Sequence, residues 1–332
     1  MVNVALDAMG GDNAPVQIVQ GALDALWDNQ ELTVHLVGKE EEINPLLEGA
    51  GDLKDRLRVL DAREVIEMAE PPVMAIRRKK DSSIVKALKL VKDGECDAFV
   101  SSGSTGAILV GAQLIVGRIR GIERPPLAPL LPTAKTPVLL IDCGANVDAR
   151  SSHLVQFARM GTIYMESVQG VKVPKVGIVN IGAEEEKGNA LVRETFPLLK
   201  ECQDINFVGS VEARDIPAGA VDIAVCEAFV GNVILKTYEG VGMTLLDAMK
   251  EALTSSLTTK IGALMIKSSL KATLKKFDAH AYGGAPMLGL NGLVMKTHGS
   301  AKAGEIKNTM LQAVQFVQAD VNGKIKEQLI EG

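Results

Sequence analysis

The chain has 332 residues, 47% hydrophobic and 23% charged, with a net charge of −5. That composition describes a soluble globular protein with ample material for a core. With only 3% aromatics and no general positive field, it excludes nucleic-acid binding through stacking or polyanion attraction. Cys96, Cys143, Cys202 and Cys226 form no C-x-x-C pair, and His35, His153, His280 and His298 have no H-E-x-x-H spacing. The sequence thus points to a reducing, cytoplasmic setting with no metal motif. No apolar run approaches the roughly 20 residues of a membrane span, and nothing at the start resembles a signal peptide.

In chain order, a strand at Val2–Leu6 runs into Asp7-Ala8-Met9-Gly10-Gly11-Asp12-Asn13-Ala14-Pro15, a tight turn followed by a helix start. A strand at Leu32–Val37 and a short one at Val59–Leu60 follow. Arg77, Arg78, Lys79 and Lys80 form a dense basic cluster that is either a solvated face or a dock for an anion or acidic partner. Ala98–Val100 leads into a hydroxyl-rich nest at Ser101–Ala107 that includes Ser104, Thr105 and Gly106. The five prolines between Pro125 and Pro137 predict an irregular crossover. Val138–Ile141 delivers Asp142, Cys143, Gly144, Ala145 and Asn146, and a helix spans about Ser152–Gln169.

The β-branched run at Val176–Ile181 breaks at Gly182 into Glu184, Glu185, Glu186, Lys187, Gly188 and Asn189 before a helix. Ile223–Val225 feeds Glu227–Asn232, including Gly231, and a further helix. Leu293–Lys296 leads to His298 and Gly299, then a helix over about Ala303–Ile330. Strand, small-polar loop and helix recur six times. The pattern predicts a three-layer α/β/α fold with a largely parallel sheet, in one unit over 1–332. In such a sheet the strand ends share one edge, so the six glycine-bearing loops are expected to converge on one anion-binding cleft.

Between Glu251 and Asp278 there is no acidic residue, while Lys260, Lys267, Lys271, Lys275 and Lys276 accompany Leu257, Ile261, Leu264, Met265 and Leu274. This stretch predicts an amphipathic helical tip at about 250–280 that packs a dimer, touches a membrane surface, or is a solvated face.

Taken together, these loops resemble those of bacterial phosphate acyltransferase, also called acyl-acyl-carrier-protein:phosphate acyltransferase. The matching stretches are Asp7–Pro15, Arg77–Ser83, Ser104–Ala107, Gly121–Pro125, Asp142–Asp148, Asn180–Gly182 with Glu184–Gly188, Val211–Ala213, Gly231–Val233, and Tyr282–Gly284 with His298-Gly299. They span essentially the whole chain. Two departures are Ser104, where the family usually has Asn, and Glu227-Ala228, where it has Asp-Gly; the second puts that loop's shape in question. The resemblance implies a fold similar to phosphotransacetylases and the isocitrate and isopropylmalate dehydrogenases, and no cofactor. It also implies acyl transfer from acyl-carrier protein to inorganic phosphate, the product feeding a membrane glycerol-3-phosphate acyltransferase. Family members are homodimers held peripherally at the membrane.

For the chemistry, Lys187 with Gly188 and Asn189 is expected to cradle phosphate beside Gly182 and Glu184. Ser104, Thr105, Gly106, Asn146, Gly231 and Asn232 complete the polar wall. His298 is the candidate for carbonyl polarisation or proton transfer, or else a helix-start cap. Asp7, Gly10, Gly11, Asp12, Asn13 and Asp142 belong to the remaining motifs. Arg77–Lys80, or Arg118, Arg120 and Arg124, are expected to dock the acidic carrier, and Gly283–Leu293 to receive the acyl chain. Competing readings are an NAD- and Mg²⁺-dependent decarboxylating dehydrogenase on the same fold, and a membrane-recruited carrier- or lipid-binding scaffold.

Overall fold

The computed structural model describes residues 1–275, 277 and 282–331. Lys276, Asp278 and His280 therefore lie outside the described residues. The strands are β1 (Val2–Asp7), β2 (Leu32–Gly38), β3 (Leu57–Asp61), β4 (Ala98–Ser101), β5 (Leu130–Leu131) and β6 (Val138–Ile141). They continue with β7 (Lys175–Asn180), β8 (Asn206–Glu212), β9 (Ile223–Val225), β10 (Ala285–Met287) and β11 (Leu293–Lys296). One half orders them β10-β11-β4-β1-β2-β3 and the other β5-β6-β9-β7-β8. All neighbours pair in parallel except β10 with β11 and β5 with β6.

The halves join where sequence composition suggested only an irregular crossover. Leu127 bridges Met287 antiparallel, with Ala128 N–H donating to Pro286 O and Leu288 N–H to Pro126 O. Prolines sit here because the segment is short and its free N–H groups alternate between β6 and β10. Across this seam the sense turns over three times: β11 to β10, β10 to 126–131, and 126–131 to β6. The parallel strands of the two halves therefore run in opposite senses. The expectation of one shared edge is corrected: the loops after β1, β4 and β11 leave one edge, and those after β6, β7 and β9 leave the other.

Helices cover both faces. Val16–Asp28 packs on Ala303–Gln318, an approach that Gly21 permits because a Cβ there would lie 2.6 Å from Ile306 Cβ. Pro72–Arg78, Ser83–Lys92 and Thr105–Gly111 build an apolar cluster on the opposite face. In the second half, Ser151–Ser167 and Ala190–Glu201 pack together, while Val230, Ile234 and Leu235 of helix Ala228–Thr254 close the other side. One apolar cluster runs from Val4, Leu6 and Ile18 through Leu139, Phe157 and Tyr164, and Gln312 Nε2 donates to the buried Tyr164 hydroxyl at 2.9 Å. Each fully buried Leu, Ile or Phe in it contributes about 1.5–3 kcal/mol. The segment expected to take an acyl chain is part of this interior: Met287, Leu288, Leu290 and Leu293 are buried, so that groove is filled by the protein itself.

The final helix is shorter than its periodicity implies. Asp320 adopts positive φ (49°) and caps a new helix, Val321–Lys326. The amphipathic stretch forms helices Ala228–Thr254 and Leu257–Lys275. Leu257, Ile261, Leu264 and Met265 are all more than half exposed there, as are Val241, Met243 and Leu245. Among the described residues no helix is long and apolar enough to cross a membrane.

Candidate active site

At the first edge, β1 ends in Asp7, whose carboxylate is fully buried. Ser101 Oγ, at the end of neighbouring β4, donates to it at 2.6 Å, and Gly103 N–H donates to Ser101 Oγ at 2.9 Å. Met9 N–H donates to the other carboxylate oxygen at 3.2 Å. The turn that follows is sterically bound to glycine. A Cβ on Gly10 would stand 2.3 Å from Asp7 Oδ2 and 2.7 Å from Gly103 N. Gly11 has φ +95° and lies so close that a Cβ would meet Gly299 O at 2.7 Å. Asp12 N–H donates to that same Gly299 oxygen at 2.8 Å, and Asn13 Nδ2 donates to Ser300 O and Ala301 O. The loops after β1, β4 and β11 are thus interlocked.

Beneath them lies a residue that pattern reading left inside a strand. Lys296 ends β11 in register with Ser101; the residue is 8% exposed, and its ammonium donates to Ser102 O at 3.2 Å and to Thr297 O. Burial pushes its pKa down to about 8, against the opposing pull of Glu305 and Asp7. Burial likewise raises the Asp7 pKa, offset by Ser101, Ser83, Met9 and Lys296. Ser102 and Thr297 share a hydroxyl hydrogen bond at 2.5 Å. A charged residue ending an otherwise apolar strand was the available signal for Lys296.

His298 is exposed. Its Nδ1 accepts from Ser300 N–H (3.3 Å) and lies 2.8 Å from Ser300 Oγ, while its own N–H donates to Glu305 Oε1. The ring is therefore oriented by its own turn, with Nε2 away from that contact. Ser104 is buried and caps helix Thr105–Gly111, and Gly106 permits close packing on Pro72.

At the second edge, the expected ligands divide. Asp142 is a structural anchor: its buried carboxylate accepts from the N–H groups of Leu127, Gly144, Ala145 and Asn146 and from Asn146 Nδ2. Asn146 spends its amide on Asp142 (2.7 Å) and Pro125 O (3.0 Å), so its side chain offers no donor to phosphate. Gly231 is likewise a packing glycine, since a Cβ there would fall 1.8 Å from Asp142 O. Glu227 caps the helix through Phe229 and Val230 N–H, filling the donors that an anion would need. Ala228 opens the helix with ordinary geometry, so the departure from glycine there needs no left-handed conformation.

Lys187 is half-exposed and paired with Glu184 at 2.7 Å, a bond that raises its pKa. Gly182 leaves room for that pair. Gly188, at φ +104°, leaves room for Asn180 Oδ1, and Asn180 Nδ2 donates to Lys187 O. Asn189 caps helix Ala190–Glu201 through Val192 N–H. In the basic cluster, Lys79 is committed to Glu70 and Val65 O and Lys80 to Ile76 O, whereas Arg77 and Arg78 are exposed. Docking by Lys79 is thereby corrected.

Helix Ala228–Thr254 brings the halves together. It starts beyond β9, is fastened by Tyr238 OH donating to Pro132 O, and carries Lys236 close enough to Lys296 to lower its pKa further. Asn232 lies four residues before Lys236 on the same helix face, and both are exposed. Asn232 thus sits near the start of the helix at the second edge, one turn before Lys236. Lys187 has no such link; its loop leaves β7, the neighbour of β9.

A family model described as fatty acid synthesis protein matches residues 2–324. The chain is 49% identical to a phosphate acyltransferase of Clostridium botulinum over 98% of both chains. It is 48% identical to one of Clostridium perfringens over 99% of this chain and 97% of that one. Among solved structures it is similar to a phosphotransacetylase from Streptococcus pyogenes, with TM-score 0.61 and 18% identity over 96% and 94% of the two chains. A branched-chain phosphotransacylase from Enterococcus faecalis gives TM-score 0.56 and 15% identity over 96% and 99%. At those identities the likeness establishes the fold, a mostly parallel α/β/α architecture, while the near-complete match of sequence establishes more: the chain belongs to the fatty acid synthesis protein family, alongside the phosphate acyltransferases.

Proposed function

We propose that this chain transfers a fatty acyl group from the thioester of an acyl-carrier protein to inorganic phosphate. The place is the gap between the Asp7–Lys296 edge and the Asn232–Lys236 face of helix Ala228–Thr254. As a family member it is an acyltransferase of lipid metabolism that moves an acyl group onto phosphate. The fatty chain, the carrier donor and the placement are our reading. The observation that supports it most is the enclosed Lys296 side chain at the strand end beside Asp7, toward which helix Ala228–Thr254 brings Lys236, paired with Glu239 at 2.7 Å, from the other half.

The chemistry asks little of covalent catalysis. A phosphate oxygen attacks the thioester carbon, the C–O bond forms, the C–S bond breaks, and the thiolate leaves and takes a proton. A thioester is already activated, so no protein nucleophile is required. Cys143 and Cys226 are unsuited to that role, since burial pushes both thiols well above their usual range. Lys296 and Lys236 hold the anion, and the Asn232 amide donates to the oxyanion that develops on the carbonyl, a contact worth about 3 kcal/mol. His298, oriented through Nδ1, supplies the proton to the leaving sulfur. Lys187, expected to cradle phosphate, stays paired with Glu184 on the opposite edge and takes no part in holding the acceptor.

We place the protein as a homodimer at the cytoplasmic membrane surface, with Leu257, Ile261, Leu264 and Met265 on the contacting face. A membrane glycerol-3-phosphate acyltransferase is then positioned to consume the product. The deciding assay is release of free carrier thiol from acyl-carrier protein with and without phosphate. Phosphate-dependent release is expected; phosphate-independent release, or none, overturns the reading.

A further inference from the structure

A hollow of about 700 Å³ lies between the far end of the helix begun at Ser104 and the residues that follow the Asp142 turn. Gln113 and Leu114 line it, nine residues beyond Ser104 and thus about 13 Å along a helix axis. It is accordingly separate from the Asp7–Lys296 edge. Its walls carry Arg118, Arg124 and Arg150. Among the described residues, none of the three forms an ion pair.

Glu123 and Asp148 also line the hollow, and three arginines against two carboxylates leave it net positive. Glu123 is occupied by His153 Nε2 at 3.0 Å and Ser152 Oγ at 3.3 Å. His153 Nδ1 accepts from Arg150 N–H, which leaves the ring hydrogen on Nε2, facing Glu123. The wall is also fixed in place. Arg118 donates to Glu123 O, Asn291 Nδ2 donates to Arg118 O, and Gln156 clamps Glu123 N–H and Gly121 O. Three guanidinium groups around one concavity, that of Arg118 anchored on Glu123 O, suit the tetrahedral oxygens of a phosphate ester better than they suit a diffuse acidic surface.

We propose that the Arg118–Arg124–Arg150 hollow is a second anion site, which receives the phosphate ester of the pantetheine arm that carries the acyl thioester. The inference rests on the carrier-thioester reading above. It separates the two phosphates of the reaction: the acceptor sits between the lysines, and the donor arm is held by arginines.

The test measures binding of 4′-phosphopantetheine and of pantetheine, which lacks the phosphate, to the full chain by calorimetry. It is run on the wild type, Arg124→Gln/Arg150→Gln and Arg124→Lys/Arg150→Lys. The glutamine pair should weaken phosphopantetheine about 30-fold and leave pantetheine unchanged, with the lysine pair retaining most of the affinity. In turnover, the KM for the carrier should rise and that for phosphate should hold. Equal affinity of wild type and glutamine pair for phosphopantetheine overturns the inference. So does a raised KM for inorganic phosphate alone, which would make the hollow the acceptor site. Absence of phosphate-dependent thiol release in the wild type instead defeats the functional reading, whatever the binding data give.

Discussion

The carbonyl oxygen of Asp142 lies 1.8 Å from where a Cβ on residue 231 would stand. Helix Ala228–Thr254 can enter the gap between the halves only because that residue is glycine. Gly231→Ala must push the helix off the Asp142 turn, at a cost of about 3 kcal/mol. A melting temperature lowered by several degrees, with turnover lost in parallel, is expected by scanning fluorimetry. An unchanged melt would show that the helix is not seated there.

Asp142 itself accepts five N–H donors, four from the turn it organises and one from Leu127. Asp142→Asn replaces an acceptor with a group that must turn an N–H toward other N–H groups. The expected penalty is on the order of 3 kcal/mol. Denaturant unfolding reads it as a lower midpoint; a wild-type midpoint would show that the turn does not depend on Asp142.

The pH dependence turns on Lys296. Its folded pKa of about 8 lies below its ordinary 10.5, so between those values the unfolded chain binds more protons. Stability should therefore rise with pH across that window, by on the order of 3 kcal/mol from this group. Anion binding has the opposite sign: it needs the ammonium and should fall as pH rises through about 8. A KM for phosphate that climbs above that pH in the wild type, and is already high and flat in Lys296→Met, is expected. The same alkaline limb in both proteins would assign the titration elsewhere.

Lys187 tests the second edge. Lys187→Ala and Glu184→Gln are both expected to leave kcat/KM for phosphate within about twofold, because that exposed pair sits on the edge away from Lys296. A tenfold or larger loss in Lys187→Ala would bring that loop to the acceptor.

Much of this arrangement was legible in the residues. β-branched runs stopping at Gly182 or Asp142 mark strands that end in loops, and Asn189 and Ser82 cap the helices that follow. What could not be read was strand sense. The turnover of direction rests on β5 and β10, two and three residues long, paired across a segment of some 160 residues whose prolines imitate a loop. Lys296 was missed for a related reason: the mark it leaves, one lysine closing a short apolar strand, is shared with lysines that reach solvent. Asn146 was read as a phosphate ligand because amides at strand ends serve turns and ligands equally well. Only the hydrogen-bond partners tell the two uses apart.

The most direct test concerns the two lysines. Phosphate saturation of thiol release should be measured for Lys236→Gln, an exposed position where the fold is not at stake. A KM for phosphate raised about tenfold, with the KM for the carrier and the melting temperature unchanged, is the expected result. An unaltered KM for phosphate would contradict the placement of the acceptor between Lys236 and Lys296.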